Sequence, residues 1–72
     1  MTSRAVVFTL NNPEVYMEDM VIPPYVRYLV WQYEIGDSGT YHWQGYAAFV
    51  NAQRFSALKK WMPATHFENR LD

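Results

Sequence analysis

The sequence predicts an α+β fold, with helices on one face of an antiparallel sheet. Several short segments are rich in β-branched and aromatic residues and are bounded by Asn, Gly or Pro, as strands are. One later segment instead has apolar residues at helical spacing. Of the 72 residues, 50% are apolar and 18% aromatic, which suffices for a folded core and excludes a disordered chain.

The first predicted strand runs from Arg4 to Leu10 and ends at the Asn-Asn-Pro turn of residues 11–13. Apolar residues fall on both of its faces, as in a central strand. A short helix is predicted from Glu14 to Met20, because an asparagine can cap it and a proline suits its first position. Pro23 and Pro24 must end that helix.

The middle of the chain predicts a β-hairpin. Residues Arg27 to Ile35 and Tyr41 to Val50 have the composition of strands, and Gly-Asp-Ser-Gly at residues 36–39 separates them. The two strands are therefore expected to pair antiparallel through this loop.

The last third predicts a helix from Gln53 to Met62 and a fourth strand from Thr65 to Leu71. The order β-α-β-β-α-β resembles the split βαβ, or ferredoxin-like, arrangement that RNA-recognition domains share in layout. Both helices then cover one face of the sheet and leave the other face free. We predict one domain over residues 1–72.

Composition excludes several functions. The chain has no cysteine, so disulfides and thiolate zinc sites are excluded, and a metal must be held by oxygen and imidazole groups. The absence of cysteine also favours a reducing intracellular compartment. No apolar run approaches the ~20 residues of a membrane span, so we expect a soluble protein without a membrane partner. The net charge of −1 argues against strong non-specific attraction to nucleic acid. Lys and Arg outnumber Asp and Glu in the second half, where an anionic partner is expected to dock.

The third strand carries polar residues within an aromatic run. Alternation places His42 and Gln44 on one face and Trp43 on the other, and the hairpin brings Glu34 opposite His42. A carboxylate, an imidazole and an amide oxygen suit Mg²⁺ or Mn²⁺ better than a structural zinc. Judged by its spacing alone, a His-x-Gln pair is more often a pair of ordinary exposed strand residues than a pair of metal ligands.

Four motifs carry a family resemblance: FTLNNP at residues 8–13, YEIG at 33–36, HWQGY at 42–46 and HFE at 66–68. In this order and spacing, they resemble the N-terminal part of the replication-initiator (Rep) proteins of circular single-stranded DNA viruses, of the circovirus and nanovirus type. These are HUH endonucleases of rolling-circle replication. The resemblance covers essentially the whole chain.

The resemblance implies roles for particular residues. Glu34, His42 and Gln44 would bind a divalent metal, Mn²⁺ or Mg²⁺. The strand and turn of the first motif would contact single-stranded viral origin DNA, through Thr9, Asn11 and Asn12. From the sequence alone, the two asparagines fit a turn and a helix cap equally well. The resemblance also implies a location in the host nucleus.

The family's nucleophile is a tyrosine in a Tyr-x-x-Lys motif on a further helix. It forms a 5′-phosphotyrosine that allows the nicked strand to be rejoined. None of the six tyrosines here has a lysine three residues later. We therefore expect the chain to be truncated before the catalytic-tyrosine helix and to be inactive as a nickase by itself.

Other residues are weaker candidates. Lys59 and Lys60 are candidate contacts to DNA phosphates, although a solvated helix face is the commoner role of such lysines. His66 and Glu68 share a face and are candidates for a second shell around the metal, with solvent exposure favoured. The aromatic residues that can stack on bases or pack in the core are Trp31, Trp43 and Tyr46, and core packing is favoured for Trp43.

Two other functions fit the same sequence. A non-catalytic module that binds single-stranded nucleic acid on the free face of the sheet would bind DNA without regard to divalent metal. A structural fragment would instead self-associate through an open sheet edge.

Overall fold

The computed structural model describes residues 2–70. Its sheet has four strands in the order β2-β3-β1-β4, and every neighbouring pair is antiparallel. The elements are β1 (Thr2–Asn11), a 3-10 turn (Met17–Asp19), β2 (Val26–Ile35), β3 (Tyr41–Arg54), α1 (Phe55–Trp61) and β4 (His66–Asn69). This order confirms the predicted α+β, ferredoxin-like class, with β1 as a central strand. No helix within residues 2–70 has the length and apolar character needed to cross a membrane.

The third strand is longer than predicted, because its pairing with β1 continues past Val50. After an irregularity between Ser3 and Ala5, Ser3 pairs with Gln53, so the strand ends only at Arg54. The following helix therefore starts at Phe55 rather than Gln53.

The fourth strand is shorter than predicted. It covers His66–Asn69, whereas we expected Thr65 to Leu71. Leu71 lies outside the described residues.

The predicted helix from Glu14 to Met20 is wrong. Only one 3-10 turn, Met17–Asp19, forms there, and the side chain of its N-cap residue, Tyr16, makes no capping hydrogen bond. Asn12 cannot act as the cap, because it adopts a left-handed conformation (φ 51°) and its N–H donates to the carbonyl of Tyr41 at 2.7 Å. In the described chain, one helix rather than two covers the sheet.

The crossover segment between β1 and β2 is held to the sheet by the hydroxyl of Tyr33. This hydroxyl accepts a hydrogen bond from the backbone N–H of Met17 and donates to Oε1 of Glu18, both at 2.8 Å. The Met17 side chain is buried. The Met17 N–H, which in a helix would donate to a carbonyl of the preceding turn, thus donates to a side chain on β2.

This arrangement predicts a loss of stability at alkaline pH. Burial raises the pKa of the Tyr33 phenol above 10.0, the Glu18 carboxylate raises it further, and the Met17 N–H opposes both effects. Because the folded state favours the protonated phenol, its contribution is fully present below about pH 10 and is lost as the pH rises through the folded-state pKa. The Tyr33→Phe variant should therefore lose less stability above about pH 10 than the parent does.

Urea unfolding followed by circular dichroism, repeated at increasing pH, checks this prediction. Tyr28→Phe is the matched control, because Tyr28 is an exposed tyrosine on the same strand. The control should keep the pH profile of the parent. If the Tyr33→Phe variant lost as much stability at alkaline pH as the parent, the role of the Tyr33 phenol in this loss would be contradicted.

The two faces of the sheet differ in burial. On the core face, Val6 and Phe8 of β1 pack with Trp43 and Ala47 of β3, and Leu58 of α1 covers them. The other face, called the open face below, carries the alternate residues and is not covered by α1. Its cross-strand rows are Asn11, His42 and Glu34; His66, Thr9, Gln44 and Gln32; and Glu68, Val7, Tyr46 and Val30.

Candidate metal site on the open face

The loop between β2 and β3 sets the register of the candidate site. The N–H of Gly36 donates to the carbonyl of Thr40 at 2.8 Å, and the N–H of Gly39 donates to the carbonyl of Gly36 at 2.9 Å. Gly39 has φ 82°, a conformation that favours glycine. This closure pairs Glu34 directly with His42, which confirms the predicted register.

The three predicted ligand side chains lie together, with Glu34 and Gln44 on either side of the His42 imidazole. Its Nε2 lies 3.0 Å from Oε2 of Glu34 and 3.4 Å from the amide nitrogen of Gln44. The His42 side chain is only 15% exposed and that of Glu34 is 36% exposed. The imidazole is therefore held between its two neighbours at the partly buried centre of the group.

The carboxylate of Glu34 and the imidazole of His42 are in hydrogen-bond contact, and their separation is also that of two neighbouring ligands of an octahedral cation. Ligands about 2.0–2.1 Å from a cation such as Mg²⁺, and at right angles to each other, are roughly 3.0 Å apart. The carboxylate and imidazole atoms already have this separation. Turning the Gln44 amide by 180° presents its oxygen in place of its nitrogen.

The composition of the group also restricts the choice of metal. Within residues 2–70, no three His, Asp or Glu side chains gather around one point. A third protein ligand would then be an amide oxygen, a role that the family resemblance implies for Gln44, with water completing the coordination. A set of one carboxylate, one imidazole and one amide suits Mg²⁺ or Mn²⁺.

A further side chain, Gln32, belongs to this group. Its amide nitrogen donates to Oε1 of Glu34 at 2.8 Å, and it lies opposite Gln44 across the strand pair. None of the sequence motifs pointed to Gln32 as a site residue, although alternation along β2 places it on the same face as Glu34. Glu34 therefore has one carboxylate oxygen near Gln32 and the other near His42.

The DNA-binding candidates of the first motif lie beside the group. Asn11 pairs with His42, and Thr9 pairs with Gln44, so both reach the open face from the neighbouring strand. Thr9 also lines a depression that Gln44 and Tyr46 border. Asn12, by contrast, forms the turn that ends β1.

The two lysines are not brought together with this group. Both lie on α1, which packs against the core face. The ammonium group of Lys59 donates to the carbonyl of Thr65 and lies 5.8 Å from the ring centre of Phe67. Lys60 is exposed beside Trp61, also away from the open face. Their contact with DNA stays a prediction, and it would require a second surface.

His66 and Glu68 lie on the open face but at its opposite edge. They contact each other at 3.1 Å, and their side chains are 70% and 66% exposed. Strand β1 separates them from His42, because His66 pairs with Thr9. They are exposed to solvent, as the sequence analysis favoured.

The aromatic candidates divide between the two faces. Trp43 is fully buried and Trp31 packs against the same core. Tyr46 lies on the open face, 6.1 Å from the ring of Tyr28 and 5.9 Å from the guanidinium of Arg70. Of the three candidates, Tyr46 is therefore the one that the sheet presents on the side of His42.

The fold and this side-chain group define a small α+β protein whose open sheet face carries a carboxylate, an imidazole and amides in contact. The model of the family described as "Putative viral replication protein" matches residues 3–72, and the chain belongs to this family. The match confirms the resemblance drawn from the motifs.

Individual relatives agree with the family match. The replication-associated protein of Beak and feather disease virus is 45% identical over 64 residues, which cover 85% of this chain and 22% of that protein. The master replication protein of Subterranean clover stunt virus (strain F) is 40% identical over 63 residues, which cover 88% of this chain and 21% of that protein. This chain spans about one fifth of the length of these relatives.

Proposed function

We propose that this chain is the metal- and single-stranded-DNA-binding part of a rolling-circle replication initiator, which acts on viral origin DNA in the host nucleus. The observation that carries the proposal is the convergence of Glu34, His42 and Gln44 on the open face. Thr9 and Asn11 lie on the strand beside them. The names of the relatives, master replication protein and replication-associated protein, support the replication role.

In this proposal, each side chain has a binding role. The carboxylate of Glu34, the imidazole of His42 and the amide oxygen of Gln44 hold the cation. The bound cation supplies a Lewis acid for the phosphodiester at the cleavage site. The hydroxyl of Thr9 and the amide of Asn11 donate to phosphates or base edges, which places the DNA strand on the sheet.

The proposed reaction is a transesterification. A tyrosine hydroxyl attacks the scissile phosphate and gives its proton to a base, the bond from phosphorus to the 3′ oxygen breaks, and the released 3′ oxygen takes up a proton. The products are a 5′-phosphotyrosine and a free 3′ hydroxyl, and the reverse attack rejoins the strand. None of the six tyrosines of this chain is assigned as the nucleophile, and the residues described here supply the binding steps.

A metal titration tests the proposed site. Saturating Mn²⁺ should raise the midpoint of thermal unfolding of the parent, because a ligand at 100 times its Kd stabilises the folded state by about 2.7 kcal/mol. In His42→Ala the central ligand is missing, so the same titration should produce little or no shift. Differential scanning calorimetry at fixed ionic strength measures both proteins.

His66→Ala is the matched control, since it removes an exposed histidine from the same face. It should respond to Mn²⁺ as the parent does. If Mn²⁺ stabilises neither the parent nor this control, the metal site is contradicted.

Fluorescence anisotropy with a labelled single-stranded oligonucleotide then separates the remaining functions. Binding that requires Mn²⁺ supports the initiator, whereas equal binding with and without Mn²⁺ supports a non-catalytic module. The exposed ring of Tyr28 and the half-buried ring of Tyr46 beside it favour that module as the second candidate, because unpaired bases stack on aromatic rings of a sheet face.

A further inference from the structure

The carboxylate of Glu34 is held at both of its oxygens. Oε2 faces Nε2 of His42 at 3.0 Å, and Oε1 accepts a hydrogen bond from the amide of Gln32 at 2.8 Å. Gln32 and Glu34 are two residues apart on the same strand, so they lie next to each other on the open face. The proposed roles of the metal ligands do not use this second contact.

We propose that Gln32 is a positioning residue, which fixes the Glu34 carboxylate in the orientation that faces His42. This inference rests on the metal site proposed above. Gln32 acts through Glu34 and does not itself touch the cation.

The position of β2 in the sheet explains why such a residue is needed. Within residues 2–70, β2 is an edge strand and pairs with β3 alone. Glu34 is at the same time 36% exposed, and its long side chain has several rotamers in water. No further strand of the described sheet lies beyond Glu34 to restrain it. A neighbour on its own strand therefore supplies the restraint.

Holding the carboxylate in advance favours binding. A cation that meets a free glutamate must also immobilise it, and that cost reduces the affinity. The Gln32 amide removes part of the cost, because it occupies one oxygen and leaves the other directed at the imidazole. Partners of this kind behind a metal ligand typically change metal affinity by about 10–100-fold when they are removed.

Isothermal titration of the whole chain with Mn²⁺ tests the inference. Gln32→Met keeps the approximate length of the side chain and removes its donor, and it should weaken Mn²⁺ binding by at least about 10-fold. Val50→Met is the matched control, because Val50 is exposed on β3 and has no contact with Glu34 or His42. The control should bind Mn²⁺ with the affinity of the parent.

A second comparison separates positioning from a structural role. If Gln32 acts through Glu34, then in the Glu34→Gln background the Gln32→Met change should cause little further loss of affinity. The unfolding midpoint without metal should be the same for Gln32→Met and Val50→Met. A lower midpoint in Gln32→Met alone, or an additive loss of affinity in the double variant, would overturn the inference.

The outcomes also distinguish this inference from the proposed function. If the parent binds Mn²⁺ and Gln32→Met binds it equally well, the role of Gln32 is wrong and the metal site stands. If the parent does not bind Mn²⁺, both are wrong.

Discussion

Gly45→Ala should destabilise the protein by about 3 kcal/mol, the upper end of the range for overpacked cores. An added Cβ would lie 2.4 Å from Cζ of Phe8 and 2.4 Å from the carbonyl oxygen of Val30. Neither of these two atoms can move away easily to make room for the added Cβ. Phe8 is 2% exposed and packs against Phe67, and the Val30 oxygen belongs to the backbone of the neighbouring strand.

Urea unfolding followed by circular dichroism measures this effect. Gly36→Ala is the control, because the nearest atom to its added Cβ is 3.7 Å away, an ordinary contact distance. That control should change the free energy of unfolding by less than about 0.5 kcal/mol. Equal midpoints for the two variants would contradict the prediction.

Trp43→Ala should lower the free energy of unfolding by about 3–5 kcal/mol, as truncations of large aromatic side chains in cores do. Trp43 is fully buried, and it is the largest side chain of the core. Since a domain of this size has only a few kcal/mol of stability, we expect the variant to be largely unfolded. A failure of this variant to bind Mn²⁺ would then follow from unfolding rather than from the removal of a proposed ligand.

Trp43→Phe separates packing from hydrogen bonding. The indole N–H of Trp43 is buried without a well-formed hydrogen bond among residues 2–70, so the change to phenylalanine mainly removes volume. The loss in the free energy of unfolding should be clearly smaller for Trp43→Phe than for Trp43→Ala. Equilibrium unfolding of both variants tests this order, and equal costs would contradict it.

Local patterns predicted the hairpin and the placement of the candidate ligands. A Gly-Asp-Ser-Gly loop and the alternation of β3 sufficed to pair Glu34 with His42 and to bury Trp43 on the other side. These features depend on neighbours in sequence, whose geometry is fixed by the strand period and by loop closure.

Features that depend on distant residues were not predictable in the same way. The helix expected over residues 14–20 does not form, because the backbone N–H of Asn12 is hydrogen-bonded to Tyr41 and that of Met17 to Tyr33. Gln32 was missed because a glutamine on a strand looks like an ordinary surface residue until its partner is known.

The alternation along β3 has a consequence for the evolution and redesign of this protein. Trp43 belongs to the core and Gly45 lies against the buried Phe8, whereas His42 and Gln44 project from the other side of the same strand. The chemistry of the open face can therefore change by single substitutions that leave the interior intact. In the proposed metal site, Gln44→His would put a second imidazole in the place of the amide, and the metal preference of that site should move toward ions that favour nitrogen. Along β3, residues that pack the core therefore alternate with residues that determine the chemistry of the open face.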